Sequence, residues 1–497
     1  MLKSTVDLVP DKPFFVTPEQ TMSYAEFDDR SSRLARVLSE AGAALGDPVG
    51  ILLPSGPELA LTYWAVQKLG GVAVPLNPMY RELEVSGAIS TVGPNILVTD
   101  RAHAANVAAG DAESLRLLLW DHGEHPLADA FVQALPWTDR PQVEMNSPVC
   151  MFLTSGTTGK PKAVVQTQLN QMAALTSVFA NFGLRFGSET FLNTMPLFNN
   201  FGMTGVMNIA IFGGATMVSL ERWKPQLALE LISEHSVSAV WGTPTVYSDI
   251  CENFDMSRHE LTSIRRGITA GASASEALID RFRKLTSVDL VQVYGATEAT
   301  GAVTGFPANR ESRIGAVGRP FPSIDVSIVD RNGMSLPVNE TGEIRVFGDA
   351  VSPGYKGDPA GQAAAFSPEG WLSGDLGHLD EYGDLYLSGR RKEMIISGGN
   401  NIYPAEVEAL LAKHEAVVRS VVIGIPDDRR GEVPAAIVVL RDDRRETTGA
   451  ELTSFCAQNL SAYKVPHTIY FRKDLPLGPT GKVQRKVLLS EYTSADI

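Results

Sequence analysis

Short runs of β-branched and apolar residues alternate along most of the chain with longer stretches of helical period. Pro48 to Leu53 is followed by a helix-period stretch from Pro57 to Leu69, and the stretch from Leu227 to Glu234 precedes the run from Ser238 to Trp241. Parallel strands joined by helices produce this alternation. The pattern predicts an α/β fold.

The pattern changes between residues 324 and 396, where short strand-like runs are separated by turns. Two of these turns are DRNG at residues 330–333 and EYGD at residues 381–384. Closely spaced strands with turns of this composition are typical of antiparallel hairpins. We therefore predict an antiparallel or barrel-like section here, followed by a return to mixed α/β structure in the last hundred residues.

The length of the chain predicts more than one domain. A single hydrophobic core stops growing at roughly 250–300 residues, and this chain has 497. The charged segment GRRKE at residues 389–393 separates the strand-rich section from a unit that begins MIISGGNNIYPAEVEALL. We predict an N-terminal domain over residues 1–391 and a smaller C-terminal domain over residues 392–497.

Composition excludes several classes of partner. The 57 acidic residues exceed the 43 basic ones, and the net charge of −14 argues against nucleic acid or an anionic membrane surface, although a small anionic ligand stays allowed. The three cysteines are widely spaced and suggest no disulfide framework or zinc site. No signal peptide or stretch of the ~20 apolar residues that span a bilayer is evident. A cytoplasmic protein without a membrane span is expected.

A cluster of glycines, hydroxyls and lysines, TSGTTGKPK, occupies residues 154–162 directly after an apolar run. Glycine allows the backbone to turn tightly and approach a ligand, while hydroxyl groups and Lys160 add donors and positive charge. It is not a Walker A loop, because Thr154 stands at the first glycine position and Pro161 replaces the magnesium-binding hydroxyl. The segment predicts a phosphate cradle, and a solvated turn is the alternative.

Five motifs together resemble the adenylate-forming superfamily, which includes acyl- and aryl-CoA synthetases, firefly luciferase and the adenylation domains of peptide synthetases. They are TSGTTGKPK, YGATE at 294–298, SGD at 373–375, GRRKEMIISGGNNIYPAEVE at 389–408 and PTGK at 479–482. The motifs span essentially the whole chain, which is similar in particular to benzoate-type aryl-CoA ligases. The resemblance implies a large domain of two parallel-type αβαβα sheets plus a small β-barrel-like section, and a small, mobile α+β C-terminal domain.

The resemblance implies an ATP-dependent acid–thiol ligase that forms AMP. A carboxylic acid would attack the α-phosphate of ATP and release pyrophosphate, and coenzyme A would then displace AMP. This chemistry needs mostly positioning and charge neutralisation from the protein, with ATP, Mg²⁺ and CoA as expected cofactors or co-substrates. A carrier-protein thiol or an amine stays open as the acceptor. The presence of Lys482 and Glu298 argues against a binding-only relative, whereas a light-emitting relative, which would need a specific heterocyclic acid, stays open.

The matching motif positions imply a role for each of the following residues. The β- and γ-phosphates would be held by Thr154, Ser155, Gly156, Thr157, Thr158, Gly159 and Lys160. The rest of the nucleotide would be held by Thr297 at the α-phosphate, Glu298 through Mg²⁺, Tyr294 on adenine beside Gly271 and Ala272, and Asp375 and Arg390 at the ribose. The C-terminal assignments are Lys482 as the cation of adenylation, Lys392 as the hinge, Gly398 and Gly399 along the thiol tunnel, and Arg430, Tyr463 and Lys464 at the CoA nucleotide.

The acid pocket departs from the fatty-acyl pattern of the superfamily. Val293 stands where many fatty-acyl members have glycine, so its branched side chain should close the deep end of an acyl tunnel. Asn199 replaces a common histidine, and Asn200 aligns with an asparagine that hydrogen-bonds an ortho substituent in dihydroxybenzoate-activating relatives. With Gly295, these residues predict a short, flat pocket for a substituted aromatic acid, and a short aliphatic acid is the alternative. Gln168 replaces another common histidine, with no predicted consequence.

Overall fold

The computed structural model describes residues 1–120, 127–139, 141–154, 162–397, 400–427, 429–478 and 483–493. Its strands are β1 (Pro13–Val16), β2 (Thr21–Ser23), β3 (Pro48–Leu52), β4 (Val72–Pro75), β5 (Ile96–Thr99), β6 (Arg116–Leu119), β7 (Pro148–Thr154), β8 (Lys162–Thr167), β9 (Thr190–Asn193), β10 (Thr216–Ser219), β11 (Ala239–Gly242), β12 (Arg266–Ala270), β13 (Leu290–Ala296), β14 (Gly301–Gly305), β15 (Arg319–Pro320), β16 (Asp325–Val329), β17 (Gly342–Phe347), β18 (Gly354–Lys356), β19 (Phe366–Ser367), β20 (Gly370–Leu379), β21 (Leu385–Arg390), β22 (Ile395–Ser397), β23 (Asn400–Ile402), β24 (Val417–Asp427), β25 (Gly431–Leu440) and β26 (Thr468–Arg472).

The α-helices, also numbered in chain order, are α1 (Leu2–Leu8), α2 (Tyr24–Glu40), α3 (Pro57–Lys68), α4 (Glu82–Val92), α5 (Arg101–Ala104), α6 (Ala109–Ser114), α7 (Leu127–Gln133), α8 (Gln168–Asn181), α9 (Asn200–Gly202), α10 (Ile209–Phe212), α11 (Pro225–Glu234), α12 (Pro244–Asn253), α13 (Glu276–Thr286), α14 (Pro359–Ala365), α15 (Pro404–Leu411), α16 (Gly449–Asn459) and α17 (Arg485–Thr493). A π-helical segment, Met203–Asn208, joins α9 to α10, and 3₁₀ turns cover Thr297–Ala299, Asp442–Arg444 and Ala462–Lys464.

Two sheets with mainly parallel strands form most of the molecule. The first has seven strands in the order β18-β8-β7-β4-β3-β5-β6, and the second has nine in the order β15-β14-β13-β12-β11-β9-β10-β1-β2. Pairing is parallel from β7 to β6 in the first sheet and from β13 to β1 in the second, and antiparallel at the remaining edges. Because parallel neighbours need crossover connections, helices separate these strands along the chain. The predicted α/β fold is confirmed.

Helix α3 lies buried between these two sheets. Its residues 59–66 are all buried, and it packs in one continuous core with Ile51 and Val98 of the first sheet and Phe191 and Trp241 of the second. A helix that is apolar on all sides is expected inside a protein. Helices α11, α12 and α13 cover the other face of the second sheet, and α4 covers that of the first. The layers are therefore helix, sheet, helix, sheet, helix.

A third sheet is antiparallel throughout. Its order is β16-β17-β20-β19, and β21 also pairs with β20. Both predicted turns occur here: Gly333 N donates to Asp330 O at 3.1 Å, and Gly383 N donates to Asp380 O at 3.0 Å. Each glycine has a positive φ, which a side chain would disfavour. The prediction of an antiparallel section over residues 324–396 is confirmed.

The fourth sheet belongs to the smaller C-terminal part of the fold. Its order is β23-β22-β25-β24, with β26 parallel to β25. Helices α15 and α16 pack on one face, and α17 packs on the other. Arg485 of α17 binds the partly buried Glu408 of α15 at 2.7 Å, which ties the two faces together. The predicted boundary between residues 391 and 392 falls in the short turn between β21 and β22.

Candidate active site

Several predicted site residues lie at one edge of the second sheet. Gly271 and Ala272 directly follow β12, Thr297 and Glu298 directly follow β13, and Asn199 lies a few residues after β9. These three strands are parallel, so their carboxyl ends meet at the same edge. Ligands of open α/β sheets bind at this edge. Gly271 has φ of 87°, a left-handed conformation that favours glycine, directly after the end of β12.

Tyr294, Asp375 and Arg390 meet in one hydrogen-bonded group. The Tyr294 hydroxyl donates to Asp375 Oδ2 at 2.8 Å, and Arg390 Nε lies 3.1 Å from Asp375 Oδ1. Asp375 and Arg390 are paired across β20 and β21, so backbone pairing alone brings them together. Burial, and then the Asp375 charge, raise the pKa of Tyr294 well above its ordinary value, so its hydroxyl stays a donor. Each carboxylate oxygen has a second lone pair that could accept a ribose hydroxyl.

The two residues that flank Lys392 are held by different parts of the fold. Arg391 donates through its backbone to Gly374 O at 2.8 Å, and its guanidinium lies 2.6 Å from Glu343 of the third sheet. Glu393 instead pairs with Arg485 of the C-terminal helix α17 at 3.2 Å. Lys392 therefore lies between a side chain bound by the large unit and a side chain bound by the small unit, while the backbone of Glu393 also donates to Arg390 O at 3.0 Å.

Glu298 is held by a residue that the sequence analysis did not identify. The Tyr355 hydroxyl donates to Glu298 Oε1 at 2.9 Å. Lys162 Nζ lies 4.5 Å from the centre of the Tyr355 ring and pairs with Asp358 at 3.0 Å. Burial, and then the Glu298 carboxylate, raise the pKa of Tyr355, which keeps its hydroxyl protonated as a donor. Because Lys162 is both the last residue of the TSGTTGKPK segment and the first residue of β8, Tyr355 connects the end of that segment to Glu298.

Tyr355→Phe is expected to raise the Mg²⁺ concentration for half-maximal activity by roughly fivefold to tenfold, the effect of losing one typical hydrogen bond. The phenyl ring keeps the packing but no longer orients Glu298, so activity at saturating Mg²⁺ should change less. Acid-dependent pyrophosphate–ATP exchange against free Mg²⁺ measures this. Tyr382→Phe is the matched control, since Tyr382 is 51% exposed in a turn. An unchanged Mg²⁺ requirement would remove this role from Tyr355.

Asn200 joins a buried network of side-chain amides. Gln166 Nε2 donates to Asn200 Oδ1 at 3.1 Å and to Thr297 O at 2.9 Å. Gln166 Oε1 accepts from Gln171 Nε2 at 2.7 Å, and Gln171 Oε1 accepts from Asn208 at 3.3 Å. The network therefore ties Asn200 to the backbone of the YGATE motif. Gln166 was missed because nothing near it in the sequence marks a contact with residue 297.

The remaining pocket residues differ in how closely they are packed. Val293 is 8% exposed and lies in the core between the large sheets with Phe321 and Trp241. A Cβ at Gly295 would lie 2.2 Å from Gly301 O, so only glycine fits there. Asn199 Oδ1 accepts from Gly202 N at 2.9 Å as a helix cap, while its Nδ2 is buried without a partner in the described structure.

The C-terminal candidates are described in part. Arg430 is exposed near His467, with a ring nitrogen 3.3 Å from its guanidinium, and Lys464 beside Tyr463 pairs with Glu406 at 2.6 Å. Gln168 is the first residue of α8. Outside the described residues lie Ser155, Gly156, Thr157, Thr158, Gly159, Lys160, Gly398, Gly399 and Lys482. Thr154 is the last residue of β7.

The AMP-binding enzyme family matches residues 2–356, and the AMP-binding enzyme C-terminal domain matches residues 406–482. The chain belongs to the AMP-binding enzyme family, and the AMP-forming acid–thiol ligase type predicted from the motifs is confirmed.

The chain is similar over its whole length to curated and solved members. It is 30% identical to the long-chain-fatty-acid–CoA ligase of Bacillus subtilis (strain 168), over 97% of this chain and 92% of that protein. It is 34% identical to a feruloyl-CoA synthase of Amycolatopsis sp, over 93% of this chain and 92% of that protein. The ATP-bound structure of MatB from Rhodopseudomonas palustris matches 99% of this chain and 98% of its own at 27% identity and a TM-score of 0.92.

Neither a membrane-spanning helix nor a preformed metal cluster occurs among the described residues. No helix among them has the length and apolar composition to cross a bilayer. Within the same residues, no group of three or more histidine, cysteine or acidic side chains is arranged to hold a metal ion. A single carboxylate such as Glu298, completed by substrate oxygens and water, is the kind of Mg²⁺ site that phosphate-transfer enzymes use.

Proposed function

We propose that this protein is an ATP-dependent carboxylic acid–CoA ligase that passes through an acyl-AMP intermediate. The observation that carries the proposal is the grouping of Tyr294, Asp375 and Arg390 at the sheet edge where β13 leads into Glu298. A flat aromatic side chain, a carboxylate for ribose hydroxyls and a cation for phosphate suit a nucleotide. Relatives along the whole chain that are called CoA ligases or synthetases add support.

In the first half-reaction, a carboxylate oxygen of the acid bonds to the α-phosphorus of ATP as the bond to pyrophosphate breaks. Thr297 would donate to the α-phosphate, Thr154 to Lys160 would cradle the outer phosphates, and Lys482 would neutralise the charge that develops. Glu298, oriented by Tyr355, would hold Mg²⁺, which would supply charge neutralisation for the phosphates. Asp375 and Arg390 would fix the ribose, so that the reacting atoms stay in line.

In the second half-reaction, the thiolate of CoA attacks the acyl carbon and AMP leaves with the former carboxylate oxygen. We propose that the C-terminal domain, residues 392–497, presents Lys482 for the first step and the Gly398-Gly399 loop for the second. Arg430, Tyr463 and Lys464 are proposed to meet the CoA nucleotide. The cysteines Cys150, Cys251 and Cys456 are free and buried, which suits a reducing cytoplasm.

The acid is proposed to be a substituted aromatic one. Val293 is packed into the core, and its branched side chain would shorten an acyl pocket that reached this point. Asn200 adds a polar group beside Thr297, through the shared donor Gln166. The feruloyl-CoA synthase similarity also favours an aromatic acid. A short aliphatic acid is the second candidate, because Val293 would shorten the pocket for either.

Acid-dependent exchange of labelled pyrophosphate into ATP tests the function. A panel of substituted benzoates, cinnamates, short aliphatic acids and fatty acids is compared, first without and then with CoA or a carrier-protein thiol. We expect exchange that depends on the acid, is strongest with a substituted aromatic acid, and is followed by thioester formation with CoA. If no acid in the panel supports exchange, the proposed ligase function is contradicted. If fatty acids are preferred, the proposed short pocket for an aromatic acid is contradicted.

Val293→Gly is expected to shift the preference toward longer acids. Removing the branched side chain opens the pocket, and one methylene in an apolar pocket changes discrimination by about 1–3 kcal/mol. The ratio of kcat/KM for a para-extended acid to that for benzoate is measured in both forms. Val246→Ala is the matched control for the loss of a buried valine side chain. Val246 belongs to α12, which packs on the opposite face of the second sheet. An unchanged ratio would show that Val293 does not line the pocket.

A further inference from the structure

The SGD motif at residues 373–375 interrupts the regular pairing of β17 with β20. Glu343 of β17 pairs with Leu376, just after the motif, and Arg345 pairs with the residue just before it. Three residues of β20 therefore face a single residue of β17. Such a β-bulge changes the direction of side chains and is common beside active sites. The direction of the Asp375 carboxylate therefore depends on how this bulge is held.

Glu343 holds the bulge with both of its carboxylate oxygens. Oε1 accepts from Gly374 N at 3.1 Å, and Oε2 accepts from Arg391 Nη1 at 2.6 Å. Arg391 N also donates to Gly374 O at 2.8 Å, so the three residues form a closed ring. Glu343 is only 8% exposed, and a buried carboxylate is stable only when it is paired in this way. The ring fixes both peptide units of Gly374, and the second of them leads directly into Asp375.

A second side-chain contact in the bulge does not involve Gly374. Ser373 Oγ accepts from Asp375 N at 3.0 Å and donates to Ile344 O at 2.8 Å. This contact joins the two ends of the motif and leaves the polar groups of Gly374 to the ring with Glu343. A backbone N–H that loses its acceptor must turn toward water or another group. Loss of the acceptor at Glu343 would therefore rotate the peptide before Gly374 and displace Asp375.

We propose that Glu343 is a positioning residue of the nucleotide site, which holds the bulge at residues 373–375 so that Asp375 meets both ribose hydroxyls of ATP. Glu343 acts through Gly374 N rather than on the nucleotide. The acceptor atom carries the effect, because the Arg391 side chain is 55% exposed and can turn to water when its partner is lost. This inference rests on the proposed function, and it specifies how the site distinguishes a ribonucleotide from a nucleotide without ribose hydroxyls.

Two nucleotides that differ only in the ribose hydroxyls test the inference. Acid-dependent pyrophosphate exchange is measured with ATP and with 2′,3′-dideoxy-ATP, and the readout is the ratio of kcat/KM for ATP to that for the dideoxy nucleotide. Loss of folded protein cancels in this ratio. The wild-type ratio should be on the order of 10² or more, because two hydrogen bonds to a charged carboxylate are absent from the dideoxy complex.

Three variants separate the acceptor atom from the charge. Glu343→Met has a similar length but no acceptor for Gly374 N, so the ratio should fall by about 10-fold, the effect of losing one hydrogen bond to a charged group. Glu343→Gln keeps an amide oxygen for Gly374 N, so the ratio should stay near the wild-type value. Arg391→Met leaves Glu343 Oε1 in place and should also keep the ratio.

Asp384→Asn is the matched control for a buried carboxylate of the same sheet. Asp384 is fully buried in the turn between β20 and β21, where Arg310 binds both of its oxygens at 2.8 Å. This variant should lower the midpoint of thermal unfolding and leave the ratio at the wild-type value. Glu343→Asp retains the charge but withdraws the acceptor by one methylene. Its ratio should also fall, which provides the test if Glu343→Met folds poorly.

The outcomes distinguish the inference from the function on which it rests. If no acid supports exchange with ATP in the wild-type enzyme, the proposed function fails. If exchange occurs but Glu343→Met and Glu343→Asp lower kcat/KM equally for both nucleotides, only this inference is overturned, because Glu343 then supports folding alone. An equal fall of the ratio in Glu343→Gln and Glu343→Met would also overturn it, because the acceptor for Gly374 N would not carry the effect.

Discussion

Lys482→Ala is expected to slow acyl-AMP formation by about 10²–10³-fold, the effect of removing one preorganised charge from a transition state. The prediction comes from the PTGK motif, since Lys482 lies outside the described residues. The lysine would act on the carboxylate and the α-phosphate oxygen, which react only in the first step. Attack of the CoA thiol on supplied acyl-AMP should therefore proceed at close to the wild-type rate.

Single-turnover rates of both half-reactions measure the effect. Lys413→Ala is a matched control, because it removes an exposed lysine from the same C-terminal unit. It should leave both rates unchanged. Equal loss of adenylation and thioester formation in Lys482→Ala would contradict the role, because a residue that only supports folding or domain position would affect both steps.

Lys392→Pro is expected to reduce thioester formation on the order of 10²-fold, comparable to the effect of misplacing a reacting group, while pyrophosphate exchange stays near normal. Lys392 lies between Arg391, anchored to Glu343, and Glu393, anchored to Arg485. The rotation of the C-terminal domain that we propose would change the backbone dihedral angles of the residue between them. Proline fixes φ near −65° and restricts the residue before it, which would hold the C-terminal unit in one arrangement.

Lys392→Ala separates the backbone effect from the loss of charge. It keeps the backbone freedom of the turn, so thioester formation should be much faster than in Lys392→Pro. If the proline variant converts preformed acyl-AMP to thioester at the wild-type rate, the hinge does not lie at this residue. If the alanine variant is as slow as the proline variant, the lysine charge and not the backbone explains the loss.

The layered fold could be predicted from the sequence because its main signals are local. Alternating apolar runs mark the parallel strands, and the DRNG and EYGD turns mark the antiparallel section. The ends of elements are less certain, since a terminal residue depends on its hydrogen bonds: the run predicted over Ser238 to Trp241 forms a strand over Ala239–Gly242. Motifs also identified Tyr294, Asp375 and Arg390, which the fold brings into contact.

The supporting residues of the site could not be predicted in this way. Tyr355 reaches Glu298 only because β18 pairs with β8, a strand nearly two hundred residues earlier in the chain. Gln166 meets Thr297 across 131 residues. Neither pairing leaves a local pattern in the sequence, because each depends on which strands become neighbours.

The most direct test of the central claim follows an oxygen atom. The acid that gives the fastest pyrophosphate exchange is prepared with ¹⁸O in its carboxylate and converted to thioester with ATP and CoA. Because the carboxylate oxygen would bond to the α-phosphorus and leave with AMP, we predict one ¹⁸O atom in AMP and none in pyrophosphate for each thioester formed. Label in inorganic phosphate with ADP as the other product, or AMP without label, would contradict an acyl-adenylate route.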